Sequence, residues 1–517
     1  MGSEQKKLPN VFIIILIWVL FIAVSCFKHS EKADFNMDEI VTYTFANNTG
    51  NKQWVWQEKL DNPRESLEEF FTVNDKYNPP FNYGNVWKNS QGDTHPPLYY
   101  ILVHTVSSFF IGEFSKWIPF SVNVFFGCLT ILAVYGLVKS LMEDETTALF
   151  CALIFAVNPA LVEMVTFLRM YILGMFCCVL FAYIVIKHWK KRGNVFYLSI
   201  IAVLVLGSLS HYYFLIYAFF TCGMIVLYDI FHKDKKNVGK MILSCVAGAG
   251  IVLIVYPAIL DHMFGSGDGP KNFENLFHFA DYFERLQEYF SFLNQDVFHG
   301  TIALVVLTAV GGGGIAYRNR EYSFLCRIGF LVIPTFCYFL VVAKVSPYLQ
   351  DRYLCLIYPM VIIWVFVGVL KFIRQFTRNK LAVFNIILCG VIFLIIELSA
   401  YPHYKWDYTK KDFAIEVQPQ IDKIKHYDCM AILDAEWKIW TLYPHLSQYS
   451  TITYMKTNQD FILDSKDYTQ DGIVVYLLSE EDEEFLNRLL ECFEQYDSYD
   501  LVFDSENIAF CNVYLLH

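Results

Sequence analysis

The chain has 517 residues, of which 55% are hydrophobic and 18% aromatic, with a mean hydropathy of +0.36. A soluble protein this apolar would lack polar surface to cover itself, so the composition points to a polytopic membrane protein. The net charge of −11 argues against nucleic acid as a partner.

About 20 mostly apolar residues are needed to cross the hydrocarbon core. The run from Val11 to Ser25 meets this with its flanks and has no convincing cleavage site, so it reads as an uncleaved first helix. Further apolar runs centre near Phe126, Phe155, Val179, Val203, Phe220, Ile251, Val306, Phe336, Val365 and Leu388, which predicts about eleven transmembrane helices. Basic clusters at Lys6–Lys7, Lys187–Arg192, Lys233–Lys240, Arg318–Arg320 and Lys371–Lys380 then share one side. The positive-inside rule makes that side, and the N-terminus, cytoplasmic. An acidic loop at Glu143–Glu145 falls on the same side against the trend.

The first external loop is expected over 28–115. Its stretch 96–110 is apolar but half a span long, which suits a helix lying in the interface. A second external loop covers 261–296. Phe264 with Gly265, Gly267 and Gly269 gives it the composition of a hinged lid. The glycine run Gly311–Gly314 lies within a span and lacks the following Lys-Ser/Thr of a phosphate-binding loop. Close helix packing is its expected role.

After about Tyr401 the composition changes. Strand-like runs at Cys429–Leu433, Gly472–Leu478 and Ile508–Leu516 and a helical pattern over Glu480–Phe493 predict a small extracytoplasmic α/β domain over 401–517. The remainder, 1–400, is expected to form the membrane domain. Fourteen cysteines are scattered through apolar runs, with only Cys429, Cys492 and Cys511 in the tail, so at most one disulfide is expected there.

Five short motifs carry ionisable residues toward the external side. Asn36-Met37-Asp38-Glu39 follows the first span. Asp38 is either a helix N-cap or a general base that takes a proton from a hydroxyl, with Glu39 tuning it or holding a metal. His95-Pro96-Pro97-Leu98-Tyr99-Tyr100 starts the half-span helix, with Asp93 two residues upstream. That position suits a phosphate or metal contact. The turns Arg169-Met170-Tyr171, Ser210-His211-Tyr212-Tyr213 and Gln350-Asp351-Arg352-Tyr353 repeat the pattern. Interfacial tyrosines and a snorkelling arginine account for single turns. They do not account for ionisable residues converging from several turns. Arg169 and Arg352 suit a phosphate, which a guanidinium binds bidentately, and Lys344 is a weaker candidate.

In this order the motifs resemble the GT-C glycosyltransferases, and within them the family 39-like branch of protein O-mannosyltransferases and the lipid A aminoarabinose transferase. The resemblance covers about residues 1–400. It implies an integral membrane enzyme that moves a hexose or pentose, with inversion, from a polyprenyl-phosphate donor to a lipid, glycan or protein hydroxyl. It makes Asp38 the catalytic carboxylate and sets Arg352 against the lipid phosphate. Arg169, Tyr353, Tyr171 and His211 are further donor-phosphate candidates. A divalent metal is left open, with Glu39, Asp93 and His95 as candidate ligands, and no nucleotide cofactor is implied. The chain lacks the large insertion between middle spans of eukaryotic protein O-mannosyltransferases, which sets a protein acceptor in doubt and leans toward a bacterial plasma membrane. Other readings are a ligase or polymerase using a diphosphate-linked donor, a secondary transporter, and an inactive scaffold. The Asn47-Asn48-Thr49 sequon is expected to be external and open to glycosylation.

Overall fold

The computed structural model describes residues 7–48, 50, 54–265, 268–376, 382–411, 413–457, 468, 471–478, 482–493, 495–504 and 511–517. They fall into two compact units. One comprises Met1–Ser30, Ser90–Tyr99 and Pro119–Lys405, the other Glu31–Asn89, Tyr100–Ile118 and Trp406–His517.

The first unit is helical. Among the described residues eight helices are long and apolar enough to cross a membrane, or ten if two bent pairs each count as one span. Each of the eleven apolar runs read from the sequence centres on a helix. The run at Val203 forms Asn194–Ser208, only 15 residues. The fold class therefore holds, with fewer full-length spans than the eleven expected. Both bends have local causes. Asn158 ends Glu145–Val157 and caps Pro159–Thr166, its side chain accepting from the Ala160 N–H at 3.1 Å, and the axis turns by 53°. The second bend, of 91°, separates Tyr282–Val297 from Ile302–Arg318. It passes through His299 and Gly300, both at positive φ. Glu397 ties the two breaks together. It accepts from Asn158 Nδ2 at 2.8 Å and lies 3.0 Å from His299 Nε2. The glycine run acts in packing, because a Cβ at Gly312 would overlap the Gly368 carbonyl oxygen of the Tyr358–Phe376 helix.

The second unit holds a six-stranded sheet of order β1-β3-β2-β4-β6-β5, with β1 Lys59–Asp61, β2 Asp428–Leu433, β3 Thr451–Lys456, β4 Ile473–Leu478, β5 Tyr499–Phe503 and β6 Cys511–Leu516. β2 runs parallel to β3 and β4, while β1, β5 and β6 pair antiparallel. β2 is buried along its whole length, as its unbroken apolar run requires for a central parallel strand. Leu486, Leu489 and Phe493 of the predicted tail helix cover one face beside Met430, Ile432 and Val475. The sequence places 28–115 with the membrane domain. Here 31–89 and 100–118 fold instead with the tail, because β1 extends the sheet edge at β3. The three tail cysteines are free, with Cys429 and Cys511 buried and Cys492 exposed.

The half-span helix is Leu98–Ser107, shorter than the 96–110 expected. Ten residues reach about 15 Å, too short to cross. Its His104 and Ser107 are buried and meet Asn47, whose amide also donates to Phe71 O at 2.7 Å. Asn47 is therefore closed to glycosylation, contrary to the sequon reading. Thr49 lies outside the described residues.

Candidate functional site

The helical unit gathers four of the five motifs. After Pro159–Thr166 the chain makes a tight turn, with the Arg169 N–H donating to Phe167 O at 2.7 Å. Asn123, one polar residue inside an apolar span, holds this turn. Its amide donates to Phe167 O at 2.7 Å and Val165 O at 3.2 Å, and its oxygen accepts from the Tyr99 hydroxyl at 3.0 Å. The result is an arginine only 1% exposed. Such a guanidinium needs partners. His95 Nε2 lies 3.4 Å from Arg169 Nη2, and His95 Nδ1 lies 3.1 Å from Asp93 Oδ2. A guanidinium only donates, so His95 accepts on Nε2 and donates from Nδ1 to Asp93. Burial works to raise the Asp93 carboxyl. His95, Arg169 and the Thr94 N–H outweigh it and hold the carboxyl down at about 2.

His211 sits in the loop before Tyr213–Phe231. Its Nδ1 accepts from the Tyr213 N–H at 3.1 Å, which puts the proton on Nε2. Nε2 is buried and has no hydrogen-bond partner among the described residues. Burial, with the positive field of Arg169 and Arg352 adding to it, pushes its pKa well below the ordinary histidine value, so the ring stays neutral. Asp351–Tyr353 forms a 3-10 turn. Tyr358 OH fixes it by donating to Asp351 O at 3.2 Å, and Tyr338 OH by donating to Tyr353 O at 2.6 Å.

Ring contacts join these turns into a closed circuit. Phe167 stacks on Tyr171 at 5.6 Å, Tyr171 meets His211 at 5.1 Å, His211 meets Tyr213 at 5.3 Å, and Tyr213 meets Tyr353 at 5.3 Å. Arg352 closes it, with its guanidinium 5.7 Å from the Tyr353 ring and 5.5 Å from Phe167. A cavity of about 350 Å³ opens beside the circuit. Thr94, His95, His211 and Tyr353 line it together with Leu215, Val341 and Val345. A few polar side chains among aliphatic and aromatic walls suit an amphiphile with an anionic group. Asn123 and Tyr99 were not singled out from sequence as site-building residues. The signal available was a polar amide in an apolar run, costly in a membrane without a partner.

The expected lid is helical. Ile259–Phe264, Asp268–Asn275 and Tyr282–Phe292 occupy most of 261–296. Phe264 and Gly269 do line the cavity. A Cβ at Gly269 would overlap the His262 carbonyl oxygen, so this glycine serves close approach rather than hinging. Gly267 lies outside the described residues.

Asp38 and Glu39 belong to the second unit. Met37–Asn47 is capped by Asn36, whose side chain accepts from the Asp38 N–H at 3.0 Å, while Glu39 returns a bond to the Asn36 N–H at 2.6 Å. This is a capping box, so the cap belongs to Asn36 and not to Asp38. Glu39 is fully buried and pairs with Lys32 at 2.8 Å. It is a structural anchor, which removes it from the catalytic and metal-binding residues expected. Asp38 is left half-buried on the first helical turn. Four residues before it, burial raises the Asp34 carboxyl to about 7, against the Phe35 N–H and Lys32. The metal candidates do not assemble a donor set. Asp93 and His95 are committed to each other and to Arg169, and Glu39 to Lys32. No group of three His, Cys, Asp or Glu side chains able to hold a metal occurs among the described residues.

Residues 94–260 match the family model described as Dolichyl-phosphate-mannose-protein mannosyltransferase. The matched segment contains His95, Arg169, Tyr171 and His211. No curated protein matches the chain in sequence. A crystal structure of ArnT from Cupriavidus metallidurans bound to undecaprenyl phosphate superposes with a TM-score of 0.53 at 11% identity, covering 99% of this chain and 98% of that one. The Archaeoglobus fulgidus oligosaccharyltransferase is a weaker match, with a TM-score of 0.43 at 13% identity over 89% of this chain and 71% of that one. The resemblance carried by the motifs holds, and the fold is that of the GT-C glycosyltransferases.

Proposed function

We propose that this chain, a membrane protein of GT-C glycosyltransferase architecture, transfers a sugar from a polyprenyl phosphate to a hydroxyl on the outer side of a bacterial plasma membrane. The observation that carries the reading is the closed circuit that joins Arg352 to Tyr353 and His211, which line one cavity together with His95, the partner of Arg169. Two guanidiniums and a neutral imidazole donor suit a phosphate oxygen cluster. A carrier's isoprenoid chain fits aliphatic walls. The ArnT structure holding undecaprenyl phosphate supports this choice of ligand class.

The reaction is a single displacement with inversion. The acceptor oxygen bonds to the anomeric carbon as the bond from that carbon to the phosphate oxygen breaks. Asp38 takes the hydroxyl proton, and polyprenyl phosphate leaves with the electron pair. Arg169 and Arg352 stabilise its developing charge. Asp93 and His95 hold Arg169 in place, and His211 donates to a phosphate oxygen. The donor is already activated, so no nucleotide is needed. The charge rule puts the N-terminus in the cytoplasm and the sheet-bearing unit outside. The acceptor is a lipid, glycan or protein hydroxyl.

The test is turnover by purified protein with a polyprenyl-phosphate sugar and an acceptor alcohol. Asp38→Asn is expected to lose transfer and keep donor binding. Near-normal turnover by that variant removes Asp38 from the role.

A further inference from the structure

The helix Tyr282–Phe292 runs along the membrane boundary and not through it. The segment Tyr282–Val297 stands at 91° to Ile302–Arg318. That second helix is apolar, reaches about 26 Å, and exposes Leu304, Leu307 and Val310, as a lipid-facing span does. Transmembrane helices tilt by about 20° on average from the bilayer normal, so a helix at right angles to one lies close to the membrane plane. Its level follows from its partners. Arg285 Nε donates to Ala343 O at 2.8 Å, Tyr282 OH to Leu340 O at 3.0 Å, and Tyr289 OH to Tyr348 O at 3.1 Å. These acceptors sit at or just past the C-terminal end of Tyr322–Val345. Arg318 and Arg320 mark the opposite end of that span as cytoplasmic, so the helix lies at the external surface.

At about 100° per residue the helix has three faces. Tyr282, Arg285 and Tyr289 share the one that packs on the protein. Glu284 and Glu288 share a second, which is exposed. Phe283 and Phe290 share the third, and they are 84% and 48% exposed. Two bare phenylalanine rings on one face call for an apolar neighbour. Phe290 also lines an apolar cavity of about 220 Å³ with Val306, Phe336 and Trp364. Phe336 is itself exposed and lies about 14 Å inward of the external helix end at Val345. The phenylalanine face therefore turns toward the hydrocarbon and the glutamate face away from it.

We propose that Tyr282–Phe292 is an in-plane anchor whose Phe283 and Phe290 rings insert among the acyl chains of the outer leaflet, about 5–10 Å below the headgroups. Lipid is the occupant because Phe290 adjoins span residues that already face it. The anchor grips the stretch that supplies Val341, Val345 and Pro347 to the cavity beside His211, so it sets that wall at the level of the outer leaflet. The inference rests on the membrane architecture and not on the reaction.

The experiment uses the full chain in phosphatidylcholine proteoliposomes, with the fluorescent amino acid dansylalanine in place of Phe283, Phe290, Glu284 or Glu288, one at a time. The labels replacing Phe283 and Phe290 are expected to emit at shorter wavelength, to be quenched by phospholipid nitroxides high on the acyl chain, and to resist aqueous iodide. Those replacing Glu284 and Glu288 are expected to show the reverse. Iodide quenching as strong at the phenylalanine positions as at the glutamate positions overturns the proposal. Shielding from both quenchers also overturns it, and assigns the face to a second copy of the chain. The unsubstituted protein provides a reading free of any label. A phospholipid carrying benzophenone on its acyl chain should crosslink to Phe283 and Phe290, read by mass spectrometry of the digested protein. Crosslinks at Leu304 and Leu307 with none at either phenylalanine refute the insertion.

Discussion

Replacing Asp93 by asparagine removes one charge and keeps the shape. In the native protein this carboxyl falls from 3.8 to about 2, held by His95 and Arg169 against its burial. At about 1.4 kcal/mol per pH unit of difference, the charged form is worth about 2 kcal/mol. The side chain is only 12% exposed, so solvent screening takes little from that figure. A depressed carboxyl stabilises above its unfolded pKa and loses the contribution as pH falls through its folded value. The wild type should therefore exceed Asp93→Asn in stability by about 2 kcal/mol at pH 5–7, with the gap closing between pH 4 and pH 2. Thermal unfolding of the purified protein across that range measures it. The donor KM of the variant should also rise, because His95 loses the partner that holds its proton on Nδ1 and Arg169 loses its orienting acceptor. A gap that is absent, or that is constant from pH 7 to pH 2, refutes the proposed Asp93–His95–Arg169 relay.

Arg352→Ala should raise the apparent donor dissociation constant and lower turnover by about a hundredfold. Steady-state kinetics with varied donor check it, and an unchanged donor affinity counts against phosphate contact. Asp34 behaves in the opposite sense to Asp93, since its carboxyl is raised to about 7 in the folded protein. Its burial costs stability as pH climbs from 4 to 7, so Asp34→Asn should raise the melting midpoint at pH 8 and leave it unchanged at pH 3. Gly312→Ala forces a methyl against the Gly368 carbonyl and should destabilise by about 1–3 kcal/mol, visible in the melting midpoint and in the yield of monodisperse protein.

Hydropathy located the helices because lipid allows few other solutions for a buried backbone. It overstated the spans because it sees composition and not helix breaks. The 91° bend depends on two residues at positive φ, His299 and Gly300, and on Glu397 nearly a hundred positions later. The convergence of Arg169, His211 and Arg352 was legible, since each is an ionisable residue flanked by aromatics at the end of an apolar run. The partner that builds the Arg169 turn was not. Asn123 is distant in sequence and looks like a tolerated polar residue until its two carbonyl acceptors are seen. The strands β2 and β4 were readable as short β-branched runs. β1 was not, because three residues acquire strand identity only by pairing with β3 almost four hundred positions away. Glu39 shows the limit most plainly. Side by side, two carboxylates look equivalent, and only the capping geometry and Lys32 separate the buried anchor from its half-buried neighbour.

The most direct measurement is a cryo-electron microscopy map of the protein in nanodiscs with a non-hydrolysable polyprenyl-phosphate sugar analogue. The predicted result is phosphate oxygens within about 3 Å of the Arg169 and Arg352 guanidiniums, with the Asp38 carboxylate facing the anomeric carbon from the side opposite the leaving group. A phosphate bound elsewhere, or an Asp38 carboxylate tens of ångströms from the sugar, contradicts it.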